Sequence, residues 1–145
     1  MRLQCAGLTD TGMVRDHNED SFLVSQSESF VIVADGMGGH QSGEVASRMA
    51  IDEISDFYES TREQTAPIDV SPWPIGKRKP KSREERRLIA SMVRANSVIH
   101  KASLEEAQYN GMGTTCVGAY FVEEGVFIGH VGDSRCYRYR KGELV

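Results

Sequence analysis

The chain has 145 residues, enough for one domain with a real core, and its 39% hydrophobic and 26% charged content is ordinary for a globular protein. Its net charge of −4 supplies no global basic field, which argues against nucleic acid as a partner. No apolar run is long enough to span a membrane and the N-terminus lacks a signal-peptide core, so neither membrane insertion nor secretion is expected.

In chain order, Leu3 to Thr9 reads as a first strand and Ser21 to Ser25 as a second, with Asn18-Glu19-Asp20 leading into it. Phe30 to Ala34 is a third, too apolar to face water on either side. Ser42 is the expected N-cap of a helix whose stripe is Ala46, Ala50, Ile54 and Phe57, with Glu44 in its first turn. Helical patterning then fails from 61 to 81, where all four prolines and Trp73 fall. That stretch is expected to be an insertion or lid within a single domain over 1–145. Trp73 is expected to pack back onto the helices; a partner contact is the alternative.

Ser82-Arg83-Glu84-Glu85 is a capping box opening a long helix with the stripe Leu88, Met92, Ala95 and Ile99, and Asn110-Gly111 ends the segment. Thr114 to Val122 and Val126 to Val131 read as an antiparallel pair around a turn at Glu123-Glu124-Gly125. Arg135 to Arg140 alternates as a half-exposed strand, and Lys141-Gly142 turns the chain. Strands, two helices and strands again predict an α+β fold with helices packed on antiparallel sheets.

Two local features carry weaker signals. Lys77, Arg78, Lys79, Lys81, Arg83, Arg86 and Arg87 form a basic run, read as a solvated loop and helix start, or more sharply as a docking patch for an acidic or phosphorylated partner. Cys5, Cys116 and Cys136 show no metal-type pairing and are expected as reduced, buried thiols of a cytoplasmic protein. Thr11, Val122 and Gly142 stand six positions after them, so no cysteine-nucleophile phosphatase loop is present.

The chemistry concentrates in three acidic stations. Val31-Ile32-Val33-Ala34-Asp35-Gly36-Met37-Gly38-Gly39-His40 is a β-branched run ending in aspartate and glycines, where backbone can approach an ion. Arg15-Asp16-His17-Asn18-Glu19-Asp20 offers adjacent carboxylates and an arginine, and His130-Val131-Gly132-Asp133-Ser134-Arg135 runs again into Gly-Asp. Oxygen donors from separate strands suit a hard cation such as Mg²⁺ or Mn²⁺. In a strand Glu19 and Asp20 point to opposite faces, so only one easily binds a given ion directly. Asp35 has two oxygens with which to bridge two cations, and Gly36 lets its carbonyl approach them. Two bridged cations would hold a hydroxide between them at neutral pH. The planar fork of Arg15 suits two oxygens of a phosphate monoester. Taken singly, each station also reads as a solvated turn or cap; His40 reads as a loop residue and His130 as a satisfied core histidine. The glycine cluster lacks the lysine and Ser/Thr of a nucleotide-binding P-loop.

At these residues the chain resembles the metal-dependent protein phosphatase (protein phosphatase 2C) family in its compact bacterial form. The match runs through Gly7 to Val24, Val33 to Gly43, Gly111-Met112-Gly113-Thr114-Thr115 and His130 to Arg135. The resemblance implies an antiparallel β-sandwich flanked by helices, and hydrolysis of phosphoserine and phosphothreonine in proteins, opposing serine/threonine kinases. It implies two or three Mn²⁺ or Mg²⁺ ions. Arg15 would bind phosphate, Glu19 and Asp20 would serve the metals, Asp35 would bridge them, Gly36 would lend its carbonyl, and Asp133 would belong to a third metal. Met37 stands where some members carry a histidine proposed as general acid, so no acid is assigned. The family's later strands bring further metal-binding aspartates that nothing after Arg135 supplies. The chain is therefore expected to be the N-terminal portion of such a domain, C-terminally incomplete, binding metal weakly and turning over poorly. The alternative is a catalytically incompetent module that binds phosphoproteins.

Overall fold

The computed structural model describes residues 2–38, 42–71, 79–123 and 125–145. His40, Trp73, Lys77, Arg78 and Glu124, for which the sequence raised expectations, lie outside them. The elements are β1 (Asp20–Ser25), β2 (Phe30–Met37), α1 (Ser42–Ser60), α2 (Arg83–Glu105), a short 3-10 turn (Ala107–Tyr109), β3 (Gly113–Thr114), β4 (Cys116–Val122) and β5 (Gly125–Val131). A final hairpin pairs β6 (Tyr139–Arg140) with β7 (Glu143–Leu144). The main sheet is antiparallel in the order β1-β2-β4-β5, with β3 beside the end of β2. This is the expected α+β arrangement. None of the described helices is long and apolar enough to cross a membrane.

Strand alternation divides β2 cleanly. Phe30, Ile32 and Ala34 are buried against Ala46, Ala50, Ile54 and Tyr58 of α1 and Ala95 and Ile99 of α2. The rings of Phe30 and Tyr58 lie 4.4 Å apart, and Tyr120 of β4 meets Tyr58 edge-on at 5.2 Å. The residues between face the other way, and there Val33 is 47% exposed, so β2 is covered on one face and open on the other. The expectation of burial on both faces fails because the described helices all pack on one side of the sheet.

Four further expectations are corrected. Residues 3–9 form no strand; they lie over the outer face of β1 without joining its ladder, with Gly7 packed on the Phe22 ring so closely that a Cβ would overlap it. Of Arg135 to Arg140 only the second half pairs, Arg138 exchanging backbone hydrogen bonds with Val145 and Tyr139–Arg140 forming β6, because the turn at Gly132 (φ +99°) carries the preceding residues away from a partner among the described residues. Cys116 alone is buried, and burial pushes its thiol up to about 11; Cys5 is half-buried, Cys136 is exposed, and all three are free. His130 is exposed on the outer face rather than sitting in the core.

The basic run also divides. Arg87 is buried, paired with Glu28 at 3.0 Å and hydrogen-bonded to the Tyr58 carbonyl, Thr61 Oγ1 (3.1 Å) and Tyr120 Oη (3.2 Å). Arg83 donates to the carbonyls of Thr61 and Gln64. The capping residue is as expected: Ser82 Oγ accepts from Glu85 N at 3.1 Å, while the Glu85 carboxylate accepts from Lys81 N at 2.7 Å. Ser42 instead opens α1 with its hydroxyl donated to the Gln108 carbonyl, 2.9 Å away.

Candidate metal centre

The β1–β2 register sets Asp20 directly opposite Asp35. Both follow the outward phase of their strands, so the two carboxylates share the open face at one end of the sheet. The approach to Asp20 is fixed locally: its N–H donates to Asn18 Oδ1 (3.0 Å), and Asn18 Nδ2 donates to Thr9 Oγ1 (2.8 Å). Partial burial raises the Asp20 pKa above its usual 3.8, with further contributions from the charge of Asp35, a shared hydrogen bond with Asp35, and the charge of Glu19.

Glu19 takes the opposite direction. Its carboxylate lies against Gly43 at the start of α1, where an added Cβ would stand 2.6 Å from Oε1. Its carbonyl accepts from Gly36 N at 3.1 Å. Gly36 is pressed against the Gly43 carbonyl, so a Cβ there would overlap backbone. The adjacent carboxylates therefore flank the sheet end, Asp20 outside and Glu19 on the helix side, as strand geometry requires.

Asp35 is held by Thr115. Thr115 N donates to the Asp35 carbonyl (2.9 Å), and Asp35 N donates to Thr115 Oγ1 (3.1 Å). The same hydroxyl lies 2.6 Å from Ser134 Oγ, next to Asp133, which is exposed in the turn leaving β5. Arg15 follows the Gly12–Val14 turn, is exposed, and makes no hydrogen bond or ion pair with the described residues.

The structure thus brings Glu19, Asp20, Asp35 and Gly36 to one corner, with the Asp133 turn tied to it, while Arg15 makes no hydrogen bond or ion pair with any of them. Among the described residues no group of three or more His, Cys, Asp or Glu side chains is placed to hold a metal ion. The Asp20–Asp35 pair still fits a hard divalent cation in donor chemistry, since two crowded carboxylates are what such a charge relieves. Thr115, Ser134 and Gly43 were not read from the sequence as site residues. The two threonines at the entrance to an apolar strand were the available signal for the first.

The chain belongs to the protein phosphatase 2C family, whose profile matches residues 13–145. It is similar to the serine/threonine phosphatase Stp of Listeria monocytogenes, with 38% identity over 132 residues, 89% of this chain and 47% of that protein. Its fold is similar to that of the serine/threonine phosphatase PstP/Ppp of Mycobacterium tuberculosis, with TM-score 0.73 and 32% identity over 94% of this chain and 49% of the other. A structure of the PstP catalytic domain with two manganese ions gives the same TM-score and identity over 93% and 50%. The chain spans about half the length of these relatives.

Proposed function

We propose that this chain carries one wall of a divalent-cation site in a protein serine/threonine phosphatase, and that the protein hydrolyses phosphoserine and phosphothreonine in proteins, opposing serine/threonine kinases. The observation that carries the reading is the Asp20–Asp35 pair, two carboxylates crowded on one sheet face beside the Gly36–Gly43 backbone contact. Kinship to phosphatases, one of them holding two manganese ions, supports it.

In this reading Asp20 and Asp35 would hold the cations from the open face, Asp35 serving as the carboxylate common to both. Glu19 reaches the same corner from the helix side, the Gly36 carbonyl would be a further donor, and Asp133 would hold another ion from its turn. Bound cations, Mn²⁺ or Mg²⁺, supply Lewis acidity and lower the pKa of water. Arg15 receives two phosphate oxygens of the substrate through its planar fork, and its exposure leaves those donors free. Free cysteines support a cytoplasmic setting.

A second reading, a phosphoprotein-binding module without turnover, is favoured by one observation: the described residues place no three-ligand group. Phosphate release from a phosphothreonine peptide separates the two. The first reading expects release that requires Mn²⁺ and is lost in Asp35→Asn. Peptide binding that needs Arg15, with no metal-dependent release, selects the second.

A further inference from the structure

At one rung of the β2–β3/β4 ladder a side chain replaces one of the two backbone hydrogen bonds. On either side the register is regular, Val33 opposite Val117 and Gly36 opposite Thr114. Between them, at Asp35 and Thr115, only half of the ordinary exchange survives: Thr115 N donates to the Asp35 carbonyl, but Asp35 N turns to Thr115 Oγ1. The Thr115 carbonyl accepts instead from Thr114 Oγ1 at 2.9 Å. The Asp35 N–H therefore depends on a hydroxyl, which has one hydrogen and two lone pairs to share. With one lone pair taken by Asp35 N–H, the remaining capacity meets Ser134 Oγ at 2.6 Å. The Thr115 methyl packs on Gly132, whose φ of +99° shapes the turn carrying Asp133.

We propose that the Thr115 hydroxyl is a positioning group that couples Asp35 to the Asp133 turn, so that the placement of one acidic station sets the placement of the other. Its value for cation binding rests on the phosphatase reading above; the hydrogen-bonded coupling itself does not. A backbone rung would hold Asp35 regardless of the turn. A hydroxyl rung lets a shift at Ser134 reach Asp35 through two hydrogen bonds, which gives the Asp133 station a route to tune the other.

Two substitutions divide the side chain: Thr115→Val keeps the methyl and removes the hydroxyl, and Thr115→Ser does the reverse. Amide exchange by NMR on the metal-free chain is expected to accelerate at Asp35 by about tenfold or more in Thr115→Val, with the amides of Phe30 to Val33 unchanged and protection restored in Thr115→Ser. Mn²⁺ affinity, read from the EPR signal of the free ion, is expected to fall about tenfold or more in Thr115→Val and to stay near wild type in Thr115→Ser. Ser134→Ala is expected to shift the Asp35 amide resonance, and to add nothing to the Mn²⁺ loss in the Thr115→Val background. Unchanged Asp35 protection in Thr115→Val, or equal losses in Thr115→Val and Thr115→Ser, overturns the inference. Should Thr115→Val fail to fold, the Ser134→Ala resonance decides: a silent Asp35 amide sinks the coupling. A wild-type chain that binds no Mn²⁺ yet shows the expected exchange pattern rejects the metal reading and leaves the coupling standing.

Discussion

Gly36 and Gly43 bring two backbones into contact beside Glu19, and their tolerances differ. A Cβ on Gly36 meets the Gly43 and Glu19 carbonyls, fixed atoms of two elements, so β2 and α1 would have to separate. A Cβ on Gly43 meets first the Glu19 carboxylate, which can swing aside, and then the Gly36 backbone carbon at 2.9 Å, a milder overlap than the 2.0 Å approach of a Gly36 Cβ to the Gly43 carbonyl; alanine is also the better helix former there. Gly36→Ala should cost about 3 kcal/mol, at the upper end of overpacking, and Gly43→Ala distinctly less, as read by urea denaturation. Asp20 makes a different statement. Its folded pKa is raised, so between the unfolded value near 3.8 and the folded value the native state holds more protons, and stability falls as pH rises through that window. The destabilising contribution is absent below the window and fully present above it. Asp20→Asn should therefore stabilise the metal-free chain at neutral pH and lose its advantage in acid. Equal melting-temperature differences at both pH values would show that the carboxylate crowding is absent.

Four elements meet at Arg87: the start of α2, the end of α1, the β1–β2 turn through Glu28, and Tyr120 of β4. Glu28 also pairs with Arg62. Both partners of the central pair are buried, so removing one leaves an uncompensated charge. Arg87→Met should cost about 3–5 kcal/mol, and Glu28→Leu in the same background should recover much of it. Additive losses in a double-mutant cycle would show that the two residues do not act as a pair. Sequence periodicity could not find this network, because Arg87 stands in a basic run that looks solvated and Glu28 in a loop; their meeting is a property of packing. What was legible follows local rules. The Ser82 cap depends on its own turn, the Lys141-Gly142 hairpin on two residues with positive φ, and Asp20 and Asp35 stand at strand ends marked by β-branched runs. Residues 3–9 misled because an extended, alternating segment needs a partner to become a strand, and this one lies across a face. The outward and inward directions of Asp20 and Glu19 were readable, since they follow from alternation alone.

At the scale of the whole chain, the asymmetry of the sheet is the dominant physical fact. The described helices cover one face. The other carries Phe22, Val33, Val126 and Ile128 at 36–47% exposure, with Asp20 and Asp35 at its end. Solvated apolar surface on a sheet is an association site, and the chain spans about half the length of relatives that share its fold. The 145-residue chain is therefore expected to self-associate as its concentration rises, and to bind a hydrophobic dye. Val33→Thr with Ile128→Thr keeps β-branched side chains on both strands while adding hydroxyls to the open face, so strand formation should survive. Sedimentation should show the double variant remaining monomeric where wild type associates, with the same far-ultraviolet circular dichroism and a melting temperature within a few degrees. Because these side chains point away from α1 and α2, their replacement leaves the core contacts of Phe30, Ile32 and Tyr120 untouched. A double variant that unfolds would place Val33 and Ile128 in a buried layer, and a wild type that stays monomeric at every concentration would show that the open face is not an association surface.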